Sequence, residues 1–268
     1  TLPVIDSLKK AFPSARITGM GNPAILSLAH GYVDGIIAGD IPGLYTLYGR
    51  GCSVPKHIEQ LLARFDLVVS YSSDPDGIFI DNLKKIGIPW IINGVISPEE
   101  KLRTPIMDLL LLPLKKAGIP VSLTSPRVIP SLSDRKFSQK FFQSLPNSGE
   151  GLQPIVAIHP GSGSPKKCWP LERFIQLATW AKKRLRAKIL LILGPADRRL
   201  NESITPFIKS YNPILADQLP LSRLAAILEK SAVYLGNDSG ITHLAAAVGT
   251  PTLALFGPTD FRIWGPKN

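Results

Sequence analysis

Short apolar runs alternate with amphipathic stretches along most of this chain. In the C-terminal half, residues 155–158, 188–193, 232–235 and 252–256 are almost wholly apolar and bounded by glycine or proline. Runs of that length and character predict strands buried on both faces of a parallel sheet. Between them lie helical patterns. Residues 171–186 place Leu171, Phe174, Ile175, Ala178, Ala181 and Leu185 on one face, 221–230 start behind Pro220, and 241–248 stop at Gly249 with Pro251 just beyond. The N-terminal half repeats the alternation less cleanly. Helices are predicted at 1–13, 24–30, 58–65, 77–86 and 99–117, a short amphipathic one carries Phe137, Phe141 and Phe142, and strands are predicted at 15–18, 32–38, 66–71 and 88–92. The result is an α/β chain with parallel sheets. The polar, breaker-rich stretch 146–151 predicts a linker between a domain over 1–146 and another over 152–268.

Composition adds limits. The chain has 268 residues, enough for two domains, and 44% hydrophobic content supplies ample core. Its most apolar stretch, 106–114, is broken by Asp108 and Pro113, and nothing approaches the about 18 apolar residues of a membrane span. Cys52 and Cys168 make no disulfide framework, which suits a reducing, cytoplasmic setting. A formal net charge of +11 points to an anionic partner, whether nucleotide, nucleic acid or acidic membrane surface.

Three loops fall at the carboxyl ends of predicted strands in the second half, the edge where open α/β sheets bind ligands. The first, 161–167, offers backbone amides of Gly161 and Gly163 with Ser162, Ser164, Lys166 and Lys167. The second, 194–197, carries Asp197, placed either for ribose hydroxyls or as a turn residue. The third, 236–240, opens a helix, with Asp238 placed to cap it and Ser239 and Gly240 in its first turn. His243 follows one turn later, as a ligand to an anion or a hydrogen-bonded core histidine. Together a glycine-rich turn, a helix N-terminus and lysines make a diphosphate cradle. Trp169 reads as a core anchor for the first loop. The basic run 182–188 is expected to face water at a helix C-terminus, with a membrane-facing patch as the second reading. Two motifs are weaker. Gly19-Met-Gly-Asn-Pro-Ala24 has the spacing of a dinucleotide turn, and Asp74-Pro-Asp76 that of a metal-binding carboxylate pair, though Asp and Pro between a strand and a helix also serve turns and caps.

The segments His159-Pro-Gly-Ser-Gly with Lys167-Cys-Trp-Pro170, and Asn237-Asp-Ser-Gly-Ile-Thr-His-Leu-Ala-Ala-Ala247 with Phe256-Gly-Pro-Thr-Asp260, resemble the glycosyltransferase family 9 heptosyltransferases. The opening Thr1-Leu-Pro helix fits the same family, so the resemblance spans nearly the whole chain. It implies a GT-B type fold, two Rossmann-like domains with parallel sheets facing across a cleft. It implies an inverting, metal-independent transfer of heptose from ADP-heptose, or a related nucleotide sugar, to an anionic lipopolysaccharide core acceptor. No cofactor and no nucleic acid are implied, and the setting is cytoplasmic, peripheral at the inner membrane. By position, Ser162, Gly163 and Lys167 would meet the phosphates or adjacent sugar, with Lys167 stabilising the leaving group. Asp197 would approach the ribose, where the family more often has glutamate, and Asp238, Ser239, Gly240 and His243 would surround the diphosphate. The family's general base is an aspartate in a Gly-Asp turn shortly before the Thr-Leu-Pro segment. The expectation is therefore that the natural first strand and this base precede Thr1, and that a C-terminal tail follows Asn268.

Two other functions remain open on the sequence. One is a protein that binds a nucleotide sugar without transferring it. The other is a nicotinamide-dependent oxidoreductase using residues 19–24.

Overall fold

The computed structural model describes residues 2–94, 96, 103–145 and 153–267. They form two compact units, one comprising the chain up to Leu26 together with Gly31–Thr124, the other Ser27–His30 together with the chain from Ser125 onward.

The first unit contains helix α1 (Leu2–Ala11), strand β1 (Thr18–Gly21), the single turn α2 (Pro23–Leu26), β2 (Gly35–Ala38), α3 (Lys56–Leu62), β3 (Leu67–Ser70), α4 (Ile78–Ile86), β4 (Trp90–Asn93) and α5 (Ile106–Lys116). β1 pairs in parallel with β2, and β3 with β4. Two apolar clusters hold these elements. Leu47, Ile58, Leu62, Phe79 and Leu83 form one, and Val4, Ile92, Leu111, Leu114 and Ile119 the other. α4 stops at Gly87, whose left-handed φ of 92° lets its N–H reach the carbonyls of Leu83 and Lys84.

Two weak motifs are resolved here. Gly19 and Gly21 lie inside β1 rather than in a turn, and α2 has only four residues, so no dinucleotide-type helix N-terminus follows them. Gly39, where a Cβ would come within 3.0 Å of Gly21 Cα, permits the close approach in which its N–H donates to the Gly21 carbonyl at 2.9 Å. Asp74 is a cap. Its two carboxylate oxygens accept from the amides of Phe79 and Ile80, each at 3.0 Å.

The second unit continues with α6 (Leu132–Gln143), β5 (Ile155–His159), α7 (Leu171–Leu185), β6 (Lys188–Leu193), α8 (Asn201–Tyr211), β7 (Ile214–Asp217), α9 (Leu221–Leu228), β8 (Val233–Asn237), α10 (Gly240–Ala247), β9 (Thr252–Leu255) and α11 (Phe261–Trp264). Its five strands are parallel, in the order β7-β6-β5-β8-β9. On one face Val156, Ile158, Leu191, Leu193 and Leu235 pack against Phe174, Ala178, Ala181, Ile204 and Phe207. Alternate residues, Ala157, Leu190 and Tyr234, are fully buried as well, which is why these strands read as continuous apolar runs.

α6 packs on α9. Arg135 grips Glu229 with two N–H groups at 3.0 and 2.7 Å, and Ser138 Oγ donates to the Ala226 carbonyl at 2.9 Å. The linker expected at 146–151 lies outside the described residues. α8, β7 and α11 have no counterpart in the elements predicted from sequence. From β5 the chain steps outward through β6 to β7, and after α9 it returns to the other side of β5 as β8 and β9. The order therefore reverses between β5 and β8, the place where such sheets form a binding crevice at their carboxyl ends.

Candidate functional site

The loops after β5, β6 and β8 are tied together by buried polar side chains. Asn237, the last residue of β8, is fully buried. Its Nδ2 donates to the Pro160 carbonyl at 2.8 Å and its Oδ1 accepts from the Trp169 amide at 2.9 Å, so it spans the loop after β5 from end to end. Ser162 Oγ adds a bond to the Asp238 carbonyl at 2.8 Å. Trp169 packs edge-on against Phe174 with centroids 5.2 Å apart, yet it stays 37% exposed and is less of a core anchor than its loop position suggested.

The cap of α10 differs from expectation. Ser239 is the N-cap, in extended backbone, and its Oγ accepts from the Thr242 amide at 3.4 Å. The Asp238 carboxylate turns away from the helix, and its Oδ2 accepts from Lys167 Nζ and from Thr259 Oγ1, both at 2.8 Å. Asp238 is buried, while the Lys167 side chain remains 32% exposed. An ammonium has three hydrogens, so Lys167 keeps two for another acceptor. In the first turn of α10 the Thr242 amide is taken by Ser239, which leaves the amides of exposed Gly240 and of Ile241 without an acceptor within the helix. Gly163 is also exposed, and a Cβ there would meet nothing within 4 Å. Ser162, Gly163, Lys167, Asp238, Ser239 and Gly240 thus converge on the mouth of the β5/β8 switch point.

His243, one turn into α10, is half-buried. Burial lowers its proton affinity, the Asp238 carboxylate raises it, and the Lys167 ammonium lowers it further. Burial dominates.

Asp197 lies deeper than the others, at 2% exposure. Its Oδ2 accepts from the Gly194 amide at 2.7 Å and lies 3.0 Å from His159 Nε2. Gly161 is glycine for this reason, since a Cβ there would overlap Asp197 Oδ1. Both bonds use Oδ2, so a ribose could meet Asp197 only if the buried carboxylate became exposed. His159, Asn237 and Thr259 are the functional residues that sequence reasoning left without roles. The available signal was a polar residue closing an apolar strand run, as His159 and Asn237 both do.

Among the described residues no cluster of three or more His, Cys, Asp or Glu side chains is placed to hold a metal ion, and no helix is long and apolar enough to cross a membrane.

Comparison with known proteins places this geometry. The sequence profile of glycosyltransferase family 9 (heptosyltransferase) matches residues 99–268. Lipopolysaccharide heptosyltransferase 3 of Escherichia coli is 26% identical over an alignment of 290 residues, which covers 99% of this chain and 82% of that protein. Among solved structures, a glycosyl transferase family 9 protein from Veillonella parvula DSM 2008 superposes with a TM-score of 0.77 at 22% identity, covering 100% of this chain and 80% of its own. The E. coli ADP-heptose lps heptosyltransferase II gives 0.74 at 18% identity, covering 99% and 82%. These superpositions show the fold, an α/β architecture of the GT-B type with parallel sheets. With the profile matched over more than half its length, the chain belongs to glycosyltransferase family 9, the heptosyltransferases.

Proposed function

We propose that this glycosyltransferase transfers a heptose from ADP-heptose to an anionic lipopolysaccharide core acceptor, with inversion at the anomeric carbon and without a metal ion. The observation that carries the reading is the convergence of Lys167, Ser239 and the first turn of α10 at the β5/β8 switch point. It is supported by the relatives, whose names include lipopolysaccharide heptosyltransferase and ADP-heptose heptosyltransferase.

The chemistry follows from charge. As the acceptor hydroxyl attacks the anomeric carbon and loses its proton to a base, the bond to the diphosphate breaks and its electron pair passes to a phosphate oxygen of ADP. That charge develops where two free N–H groups of Lys167 and the amides of α10 are already aimed. Such preorganised donors are worth most when they need not reorient during reaction. They supply the positive field that a divalent ion would otherwise provide. Asp238 and Thr259 hold Lys167 in place, and Asn237 with Ser162 fixes the loop that carries it. We assign no residue as the general base. The net charge of +11 suits a phosphorylated acceptor and peripheral contact with an anionic membrane surface.

Calorimetric titration with ADP, UDP and GDP tests the donor. Binding of ADP in strong preference to the others supports the reading, and preference for UDP or GDP removes the adenine donor while leaving the cradle. Turnover that survives excess chelator supports metal independence, and loss of turnover restored by a divalent cation overturns it.

A further inference from the structure

Asp197, His159 and Ser239 form one hydrogen-bonded line beneath the cradle, and none of the roles above uses its middle member. His159 closes β5 and is 4% exposed. Its Nε2 lies 3.0 Å from Asp197 Oδ2 and its Nδ1 3.3 Å from Ser239 Oγ.

The neighbours restrict where hydrogens can sit. Thr242 Oγ1 donates to the Asn237 carbonyl, so it can only accept from Tyr234 OH at 3.0 Å and from Ser239 Oγ at 3.2 Å. A carboxylate accepts only, so His159 Nε2 carries a hydrogen toward Asp197. With that single hydrogen, Nδ1 is bare. The one hydrogen of Ser239 is then drawn inward, to Nδ1 or to Thr242, and its oxygen presents lone pairs to any anion at the first turn of α10. An imidazolium reverses this. Nδ1–H then donates to Ser239 Oγ, and the serine hydrogen is free to point at the anion.

We propose that His159 is a positioning residue. Binding of a nucleoside diphosphate at the first turn of α10 is coupled to uptake of a solvent proton by His159, which converts Ser239 into a donor to the diphosphate. The inference rests on the diphosphate reading of the cradle. The surrounding charges fit it. Asp197, on the loop after β6, offsets the imidazolium. Tyr234, on β8, stays neutral because burial holds its phenol well above the ordinary range. Lys167 opposes the added charge, but it is paired with Asp238 and would gain the diphosphate as a second partner. His243, on α10, is the other histidine that an anion there could protonate.

The test is calorimetry of ADP binding to the full chain at about pH 8, where the phosphates of ADP are ionised, in buffers of different ionisation enthalpy. Wild type is expected to take up protons on binding ADP, at most about one per ADP, and affinity should fall as pH rises by at most about tenfold per unit. The uptake should persist in His243→Gln and vanish in His159→Gln, whose amide can still donate to Asp197. Binding without uptake, or uptake lost in His243→Gln and kept in His159→Gln, overturns the inference while leaving the cradle intact. Failure of wild type to bind ADP overturns the diphosphate reading and this inference with it. Nitrogen-15 spectra of the imidazoles in wild type give an answer that needs no variant, because the chain has only four histidines. Nδ1 of His159 should gain a hydrogen on ADP addition, and a bare Nδ1 at saturation overturns the proposal.

Discussion

Both units are built from short parallel strands and helices, but they use their buried polar side chains differently. In the first unit such groups satisfy nearby backbone. Ser7 Oγ donates to the Pro3 carbonyl at 2.8 Å and accepts from the Ser122 amide at 3.0 Å, and Asn82 Nδ2 donates to the Leu47 carbonyl at 3.0 Å. In the second unit some do the same, as Ser138 and Asn237 do, but others bond to one another across loops, as in Asp197–His159–Ser239 and Lys167–Asp238–Thr259. Backbone-satisfying groups remove a local penalty and can be lost one at a time. A side-chain network fixes the relative positions of several loops, and breaking one member leaves others buried and unpaired. The second arrangement is what a binding site needs.

The sharpest way to break this contrast is Lys167→Ala. It removes a donor aimed at the developing charge and leaves Asp238 buried as an unpaired anion beside the diphosphate. Turnover is expected to fall by about 10²–10³-fold. In a double-mutant cycle, adding Asp238→Asn should recover part of the lost ADP affinity, because the uncompensated carboxylate is neutralised. Strict additivity of the two substitutions would show that the pair is not a unit.

Next in size is a comparison within one loop. Gly161→Ala drives a methyl into the Asp197 carboxylate and should cost about 1–3 kcal/mol of stability by denaturant unfolding. Gly163→Ala meets open space, and its stability should stay within about 0.5 kcal/mol of wild type. Equal losses at the two positions would mean that the loop after β5 is not held against Asp197.

The same contrast explains what could be read before the structure. β5, β6, β8 and β9 were legible because strands buried on both faces leave apolar runs, and α7 and α10 because their core faces are regular. α8 and β7 were not, since Pro206 interrupts α8 and the apolar run of β7 is only three residues before Asp217. The loops that make the cradle were visible as glycine, serine and lysine at strand ends. The direction of their side chains was not. Asp238 looks like a cap because Asp precedes the helix, but Ser239 can cap as well, and the nearby Lys167 decides which of them turns away. His159 was hidden because a polar residue closing an apolar run gives no hint of the partners that packing will bring from 38 or 80 residues away.

A smaller effect is expected at Asp74. Asp74→Ala removes the acceptor for two amides of α4 and should destabilise the chain by about 1 kcal/mol, while ADP affinity stays unchanged. A loss of ADP affinity would give this carboxylate a part in binding that its bonds to Phe79 and Ile80 do not suggest.

The smallest effect is expected from pH. Burial lowers the proton affinity of His243 below its ordinary value of 6.5 in the folded chain, against the opposing pull of Asp238. The unfolded chain therefore binds more protons at this side chain than the folded one does, and stability rises with pH through that window. The stability associated with neutral His243 is present above 6.5 and is lost as pH falls from there through the lowered folded value. Thermal unfolding followed from about pH 8 down to about pH 5.5 should show a smaller decline in His243→Gln than in wild type. Saturating ADP should also shrink the decline in wild type, because an anion beside α10 favours the charged imidazole. If His243→Gln declines as steeply as wild type, the acid sensitivity comes from elsewhere. If ADP leaves the wild-type slope unchanged, the anion does not sit within reach of His243, and the cradle is confined to Lys167 and the loop after β5.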